Sequence, residues 1–181
     1  MLDSKGNLFT LPEVNARYYW TGTAPANAPV FNGVDANYGY VETVKDGEVV
    51  HYIARSQYTN YENCVQVCHK QDGALSPWEW LNPPMLFGVE YRTTERYLGK
   101  PVYRKAITLG NLPNTTTKTI EHGITNLHIA FELSGYDSYA MSLIGGSTSV
   151  VVDSTYVYVK TTSDASAKTA VLNLGYIKTR D

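Results

Sequence analysis

Apolar and polar residues alternate with a period of two along most of this chain, the spacing that sets one side of an extended strand against a core and the other in water. In the first half the pattern falls on VNARYYW (14–20), YGYVETV (38–44), EVVHYIA (48–54) and NCVQVCHK (63–70). Lys45-Asp46-Gly47 separates the second run from the third, and Gln71-Asp72-Gly73 ends the fourth. Asp-Gly supplies the positive φ that tight hairpin turns need, so this half predicts a small antiparallel meander.

The alternation stops at SPWEWLNPPM (76–85). Pro83 and Pro84 lack backbone donors and push the preceding residue towards extended geometry, so no strand ladder is expected to run through them, and they predict a domain joint. Trp78 and Trp80 share a face if the segment is extended; one is expected in the core of the first module and its neighbour braced against the second.

Beyond the prolines, VEYRTTERY (89–97) and PVYRKAITLG (101–110) enclose Leu98-Gly99-Lys100 as a further hairpin. KTIEH (118–122), LHIAFELS (127–134), YAMSLIG (139–145), SVVVD (149–153), TYVYVKTT (155–162) and KTAVLNLGYIKT (168–179) follow, separated by Gly, Asn, Asp and Ser. About eight strands in roughly a hundred residues predict a β-sandwich or jelly roll, in which both sheets bury one face. The fold class is therefore all-β, a small antiparallel domain followed by a larger sandwich-like one. Fifteen tyrosines fit that class.

Charge and cysteine content narrow the function. Lys+Arg 15 against Asp+Glu 17 leaves a net charge of −2, too little to draw nucleic acid or an anionic membrane from a distance. The apolar runs are far shorter than the ~20 residues of a membrane span, and no basic segment followed by an apolar run marks a signal peptide; neither nucleic-acid binding nor membrane insertion is expected. Cys64 and Cys68, four residues apart in one strand, would be separated by ~13 Å at ~3.3 Å per residue and cannot bridge each other there. They share a face while His69 takes the other, which predicts small packed thiols and no metal or cofactor. His122 and His128 lack the one-residue spacing that would aim two imidazoles at a common axis.

Catalysis has little support. Glu90 and Glu95 are five apart in an extended run, on opposite faces and beside Arg92 and Arg96, which predicts surface ion pairs and not the paired carboxylates of glycoside cleavage. No strand-turn-helix unit carries a nucleophilic serine. Binding is better supplied. Tyr58 and Tyr61 in SQYTNYEN, and Tyr136 and Tyr139 around Asp137 in SGYDSYA, fall in polar, turn-rich stretches. A tyrosine ring and hydroxyl beside Asn and Asp suit a sugar, with Asp137 as acceptor and Gly135 and Ser138 permitting a tight turn.

LSPWEWLNPPM followed by GVEYRTTERYLGKPVYRKAITLGNLPNTTTKTIEHGI resembles the C-terminal part of phage tail fibres and of contractile-bacteriocin fibres, where a pyocin-knob-like module ends in a Trp-containing segment before a terminal β domain. TTERYLGKPVY, the LPN loop, HGI and the ending LNLGYIKTRD carry the resemblance through 85–181. YYW, the NAP loop, YGYV and WEW carry it more loosely through the first module, where NCVQVCH departs from the pattern. The resemblance implies a linker or shaft end at 1–12, a pyocin-knob-like domain at 13–82 and a receptor-binding β-sandwich at 85–181. It implies a homotrimer at the tip of a virion tail fibre, outside the cell, joined to an upstream shaft or baseplate and binding a host-surface receptor such as a glycan. A structural trimeric connector, and a carbohydrate-active fibre enzyme, are the alternative expectations. Small size points to assembly too, since domains of this length bury only about 60 to 65% of their unfolded surface.

Overall fold

The computed structural model describes residues 7–8, 15–31, 34–35, 38–57, 64–139 and 141–180. Among them the regular elements are strands: β1 (Ala16–Thr21), β2 (Val30–Phe31), β3 (Val34–Asp35), β4 (Tyr38–Asp46), β5 (Val49–Ser56), β6 (Val65–Gln71), β7 (Ala74–Leu75), β8 (Glu79–Trp80), β9 (Glu90–Tyr97), β10 (Lys100–Asn111), β11 (Thr117–Glu121), β12 (Leu127–Asp137), β13 (Thr148–Val152), β14 (Tyr156–Thr161) and β15 (Thr169–Lys178). The protein is all-β, as the alternation predicts. Two compact units result, Met1–Pro84 with Arg92–Glu95, and Met85–Tyr91 with Arg96–Asp181.

In the first unit β1, β4, β5, β6 and β8 pair antiparallel in that order, and Thr93 lies parallel beside Trp80. Alternation sends Val41, Val50, Tyr52, Ala54 and Cys68 to one face, where they enclose Trp20 and Leu8. Trp20 crosses β4 opposite Gly39, and its ring occupies the space any Cβ at residue 39 would need. Leu8 falls inside the stretch expected to be linker or shaft end, yet it is fully buried. Both joint tryptophans are used within this unit. Trp80 is buried edge-on against Phe31 with centroids 5.6 Å apart. Trp78 packs on the Trp20 cluster and donates its indole N–H to Asn27 O at 2.9 Å.

The hairpins form where Asp-Gly stands, with one shift. Asp46 pairs with Val49, so the two-residue turn is Gly47-Glu48 and starts one residue later than Asp46-Gly47 would place it. At the end of β6, Asp72 and Gly73 take the expected turn, with φ of 51° and 76°.

The second unit has two sheets, β10-β15-β12 and β11-β14-β13. Tyr103, Ile107, Leu109, Leu172, Leu174 and Tyr176 from the first meet Val157 and Val159 from the second in one core, joined by Ile120, Val150 and Val152, so the arrangement is a sandwich. YAMSLIG is not a strand, contrary to its pattern: among residues 139–145 only single bridges form, Tyr136 with Ser142 and Gly145 with Thr148. Among the described residues there, Leu143 alone turns inward, while Met141 and Ile144 face solvent. Among the described residues the second unit accordingly has β10 to β15 and the ends of β9 in place of about eight strands.

Ion pairing is found at Glu90 and Arg92, with partners that lie far away in the chain. Glu90 accepts from Tyr176 Oη and Lys178 Nζ, each at 2.5 Å, and Lys178 Nζ also stands 4.6 Å from the Tyr103 ring centre. Arg92 Nε donates to Glu79 at 2.9 Å. Period-two spacing fixes which face a residue takes and says nothing of which strand lies alongside.

Candidate functional site

Tyr136, Asp137 and Tyr139 are brought together at the end of β12. The stretch is less of a loop than its composition predicts, because β12 runs on through Asp137, pairing Gly135 with Leu172 and Tyr136 with Val171. Gly135 is therefore not a turn residue. It lacks a side chain because Leu143 Cδ1 and Val171 O would each lie 2.7 Å from a Cβ built there. That close approach lets Leu143 N donate to Gly135 O at 2.9 Å and brings 141–144 back over the strand. The chain turns at Ser138, whose N–H reaches Thr169 O at 2.8 Å.

Asp137 holds this turn from inside. One carboxylate oxygen accepts the backbone N–H groups of Tyr139 at 2.9 Å and Met141 at 3.0 Å, and the other accepts Lys168 Nζ at 2.9 Å. The carboxylate is only 5% exposed. The hydrogen bond from Lys168, then that from the Met141 amide, hold its pKa below the usual aspartate value. Both oxygens take donors from within the protein, so Asp137 acts as a bracket for the turn that carries the two tyrosines.

The tyrosines are left outside that bracket. Tyr136 is 51% exposed and Tyr139 69%. Lys168 Nζ lies 5.3 Å from the centre of the Tyr139 ring, so one ammonium both pins Asp137 and approaches the neighbouring aromatic face. Met141 and Ile144 are exposed beside them in the chain. The result is an apolar and aromatic surface on a backbone fixed by side-chain and main-chain hydrogen bonds. Lys168, Met141 and Ile144 were not legible as site residues: Lys168 is 31 positions from Asp137, and the other two look like strand interior. Tyr58 and Tyr61, the other expected binding residues, lie outside the described residues.

The sulfur and imidazole groups have structural surroundings. Cys64 and Cys68 are free thiols. Burial pushes both pKa values up, that of Cys68 to about 12. His122 is buried, its Nδ1 accepting the Ile124 N–H at 3.0 Å and its Nε2 donating to Asp153 O at 3.2 Å. Among the described residues no three His, Cys, Asp or Glu side chains converge as metal ligands, and no helix is long and apolar enough to cross a membrane.

No protein-family model matches the chain. No curated protein matches it. Among solved structures it is similar to an N-truncated R2-type pyocin tail fibre, with 10% identity and a TM-score of 0.34 over 96% of both chains. It is also similar to the C-terminal region of a P. aeruginosa R2 pyocin fibre, with 9% identity and a TM-score of 0.33 over 96% of this chain and 66% of that one. At these values neither likeness transfers a residue role or a ligand to this chain.

Proposed function

We propose that the chain is the end of a tail fibre on a phage or phage-like particle, and that it attaches the particle to a glycan on the host surface without enzymatic activity of its own. The observation that carries this reading is the exposed pair Tyr136 and Tyr139 on a turn whose backbone Asp137 holds from within. A weak saccharide ligand gains most from groups that are already in place, because little ordering entropy is then lost on binding. Aromatic faces supply the contact, and hydroxyls at their tips supply directional bonds. The motif resemblance of residues 85–181 to fibre termini supports the setting.

The active form is a homotrimer. The edge strands β12 and β13 expose Ile129 and Val151, apolar positions on sheet borders that a second copy of the chain would cover. Three weak sites on one particle end would raise effective affinity by about 10² to 10⁴ where receptors are dense. Light scattering and a glycan array on the intact chain test both parts. A trimer that retains defined glycans is expected; a stable folded monomer at micromolar concentration contradicts the assembly, and a trimer that retains no glycan and no cells leaves the connector role in place of attachment.

A further inference from the structure

A second site stands apart in chemistry from the tyrosine turn. In β10, alternation puts Tyr103, Lys105, Ile107 and Leu109 in one row, and the three apolar members of the row fill the sandwich core. Lys105 follows them inward and is only 9% exposed. An ammonium has three N–H donors and carries a charge whose burial is costly unless paired. Lys105 Nζ has one hydrogen bond among the described residues, to Gly123 O at 3.1 Å, and no ion pair. The nearby acid, Glu121, is exposed and does not bridge to it.

The ammonium borders a cleft of about 400 Å³ lined by Phe87, Lys105, Thr108, Ile120, Glu121 and Gly123. That size falls in the ~300–1,000 Å³ of small-molecule sites. Gly88 N donates to Ala106 O at 2.8 Å and fixes the Phe87 segment beside β10, yet the Phe87 side chain remains 62% exposed. The His122 ring at the cleft is already committed on both nitrogens, to Ile124 N and Asp153 O. The lining of one cleft thus includes a hidden cation with spare donors, an exposed aromatic side chain, a hydroxyl and a carboxylate.

We propose that this cleft binds a carboxylate-bearing sugar residue, such as a uronic acid. The sugar carboxylate accepts from Lys105, its C–H face lies on Phe87, and its hydroxyls meet Thr108 and Glu121. A simple anion would use the lysine and leave the ring idle; a neutral sugar would use the ring and leave the cation unpaired. The site shares no residue with the Tyr136–Tyr139 turn and does not depend on it.

The test is binding of a glucuronic-acid-terminated oligosaccharide and of its neutral glucose-terminated counterpart to the intact chain, by saturation-transfer NMR with titration. The acidic sugar is expected to bind at least about tenfold tighter, the order of one charge-assisted hydrogen bond, and to weaken with added salt. Phe87→Ala, at an exposed position, should lose about tenfold with an unchanged melting temperature, and Lys105→Met should abolish the preference for the acidic sugar. Tyr139→Ala should leave this binding intact, which separates it from the attachment reading above. Equal binding of the two sugars, full binding by Phe87→Ala, or equally tight binding of an acetylated dipeptide with a free carboxylate would each overturn the assignment.

Discussion

Asp137 and Lys105 are both ionic groups taken almost out of solvent within the same sandwich, and the chain treats them in opposite ways. Asp137 receives two backbone N–H groups and an ammonium, and its two oxygens are used. Lys105 receives one carbonyl and faces a cleft. A buried charge with every partner supplied is part of the scaffold, whereas one with partners missing costs stability that a ligand can restore. The composition of SGYDSYA suggested Asp137 as a binding group, and nothing in PVYRKAITLG singled out Lys105. The hydrogen bonds tie Asp137 to its own turn, and the proposal above gives Lys105 a ligand to pair with.

The comparison is broken most forcefully beneath Asp137. Gly135→Ala puts a Cβ against Leu143 and Val171 O, and forced overpacking of this kind costs about 1–3 kcal/mol. Denaturant titration should show that loss, with the turn residues 141–144 no longer seated on β12. A wild-type midpoint would mean that Leu143 moves aside freely and the turn is not rigid.

Next in size is the bracket itself. Asp137→Leu leaves the Tyr139 and Met141 amides and Lys168 without their acceptor, so hydrogen-exchange protection at both amides should fall and the melting temperature with it. Acid should act in the same direction. Because the folded pKa of Asp137 is depressed, the stability it contributes is full above the ordinary aspartate value of ~3.9 and is lost as pH falls through the lower folded value. Protection factors, corrected for the intrinsic pH dependence of exchange, should therefore drop in that window and stay flat from there to neutrality.

Lys105→Met sharpens the contrast, because without ligand it should be neutral or stabilising. An unpaired buried charge gives way to a side chain of similar shape. Thermal denaturation would show a melting temperature equal to or above wild type, opposite in sign to Asp137→Leu; a clear decrease would mean that Lys105 is already satisfied. The smallest effect belongs to the thiols. With Cys68 pushed up to about 12 and Cys64 raised by burial, neither is a thiolate at pH 8, so iodoacetamide should label the native protein slowly and the unfolded protein fast.

The strands were legible because half-buried strands write their period into the sequence, and β5 and the first half of β15 follow it closely. The Asp72-Gly73 turn was legible because left-handed backbone is restricted to few residue types. YAMSLIG was misread because its apolar residues do not share a buried face: Leu143 folds inward over Gly135, while Met141 and Ile144 stay exposed. Partner choice was beyond the sequence altogether. Nothing local links Asp137 to Lys168 or Glu90 to Lys178, since strand neighbours distant in the chain decide those pairs. The tyrosines 136 and 139 were legible as recognition candidates, and the structure leaves both exposed; which neighbouring groups serve the fold emerged only from the hydrogen bonds.

The reading of the molecule as an attachment protein turns on those two rings. The decisive measurement pairs attachment of the intact assembly to susceptible cells with its melting temperature, for wild type and for Tyr136→Ala/Tyr139→Ala. Exposed aromatic side chains contribute little to the core, and loss of weak contacts is multiplied across copies, so attachment should fall by at least about tenfold with the melting temperature nearly unchanged. Attachment at the wild-type level by a folded double variant would contradict the account and remove the Tyr136–Tyr139 turn from receptor binding.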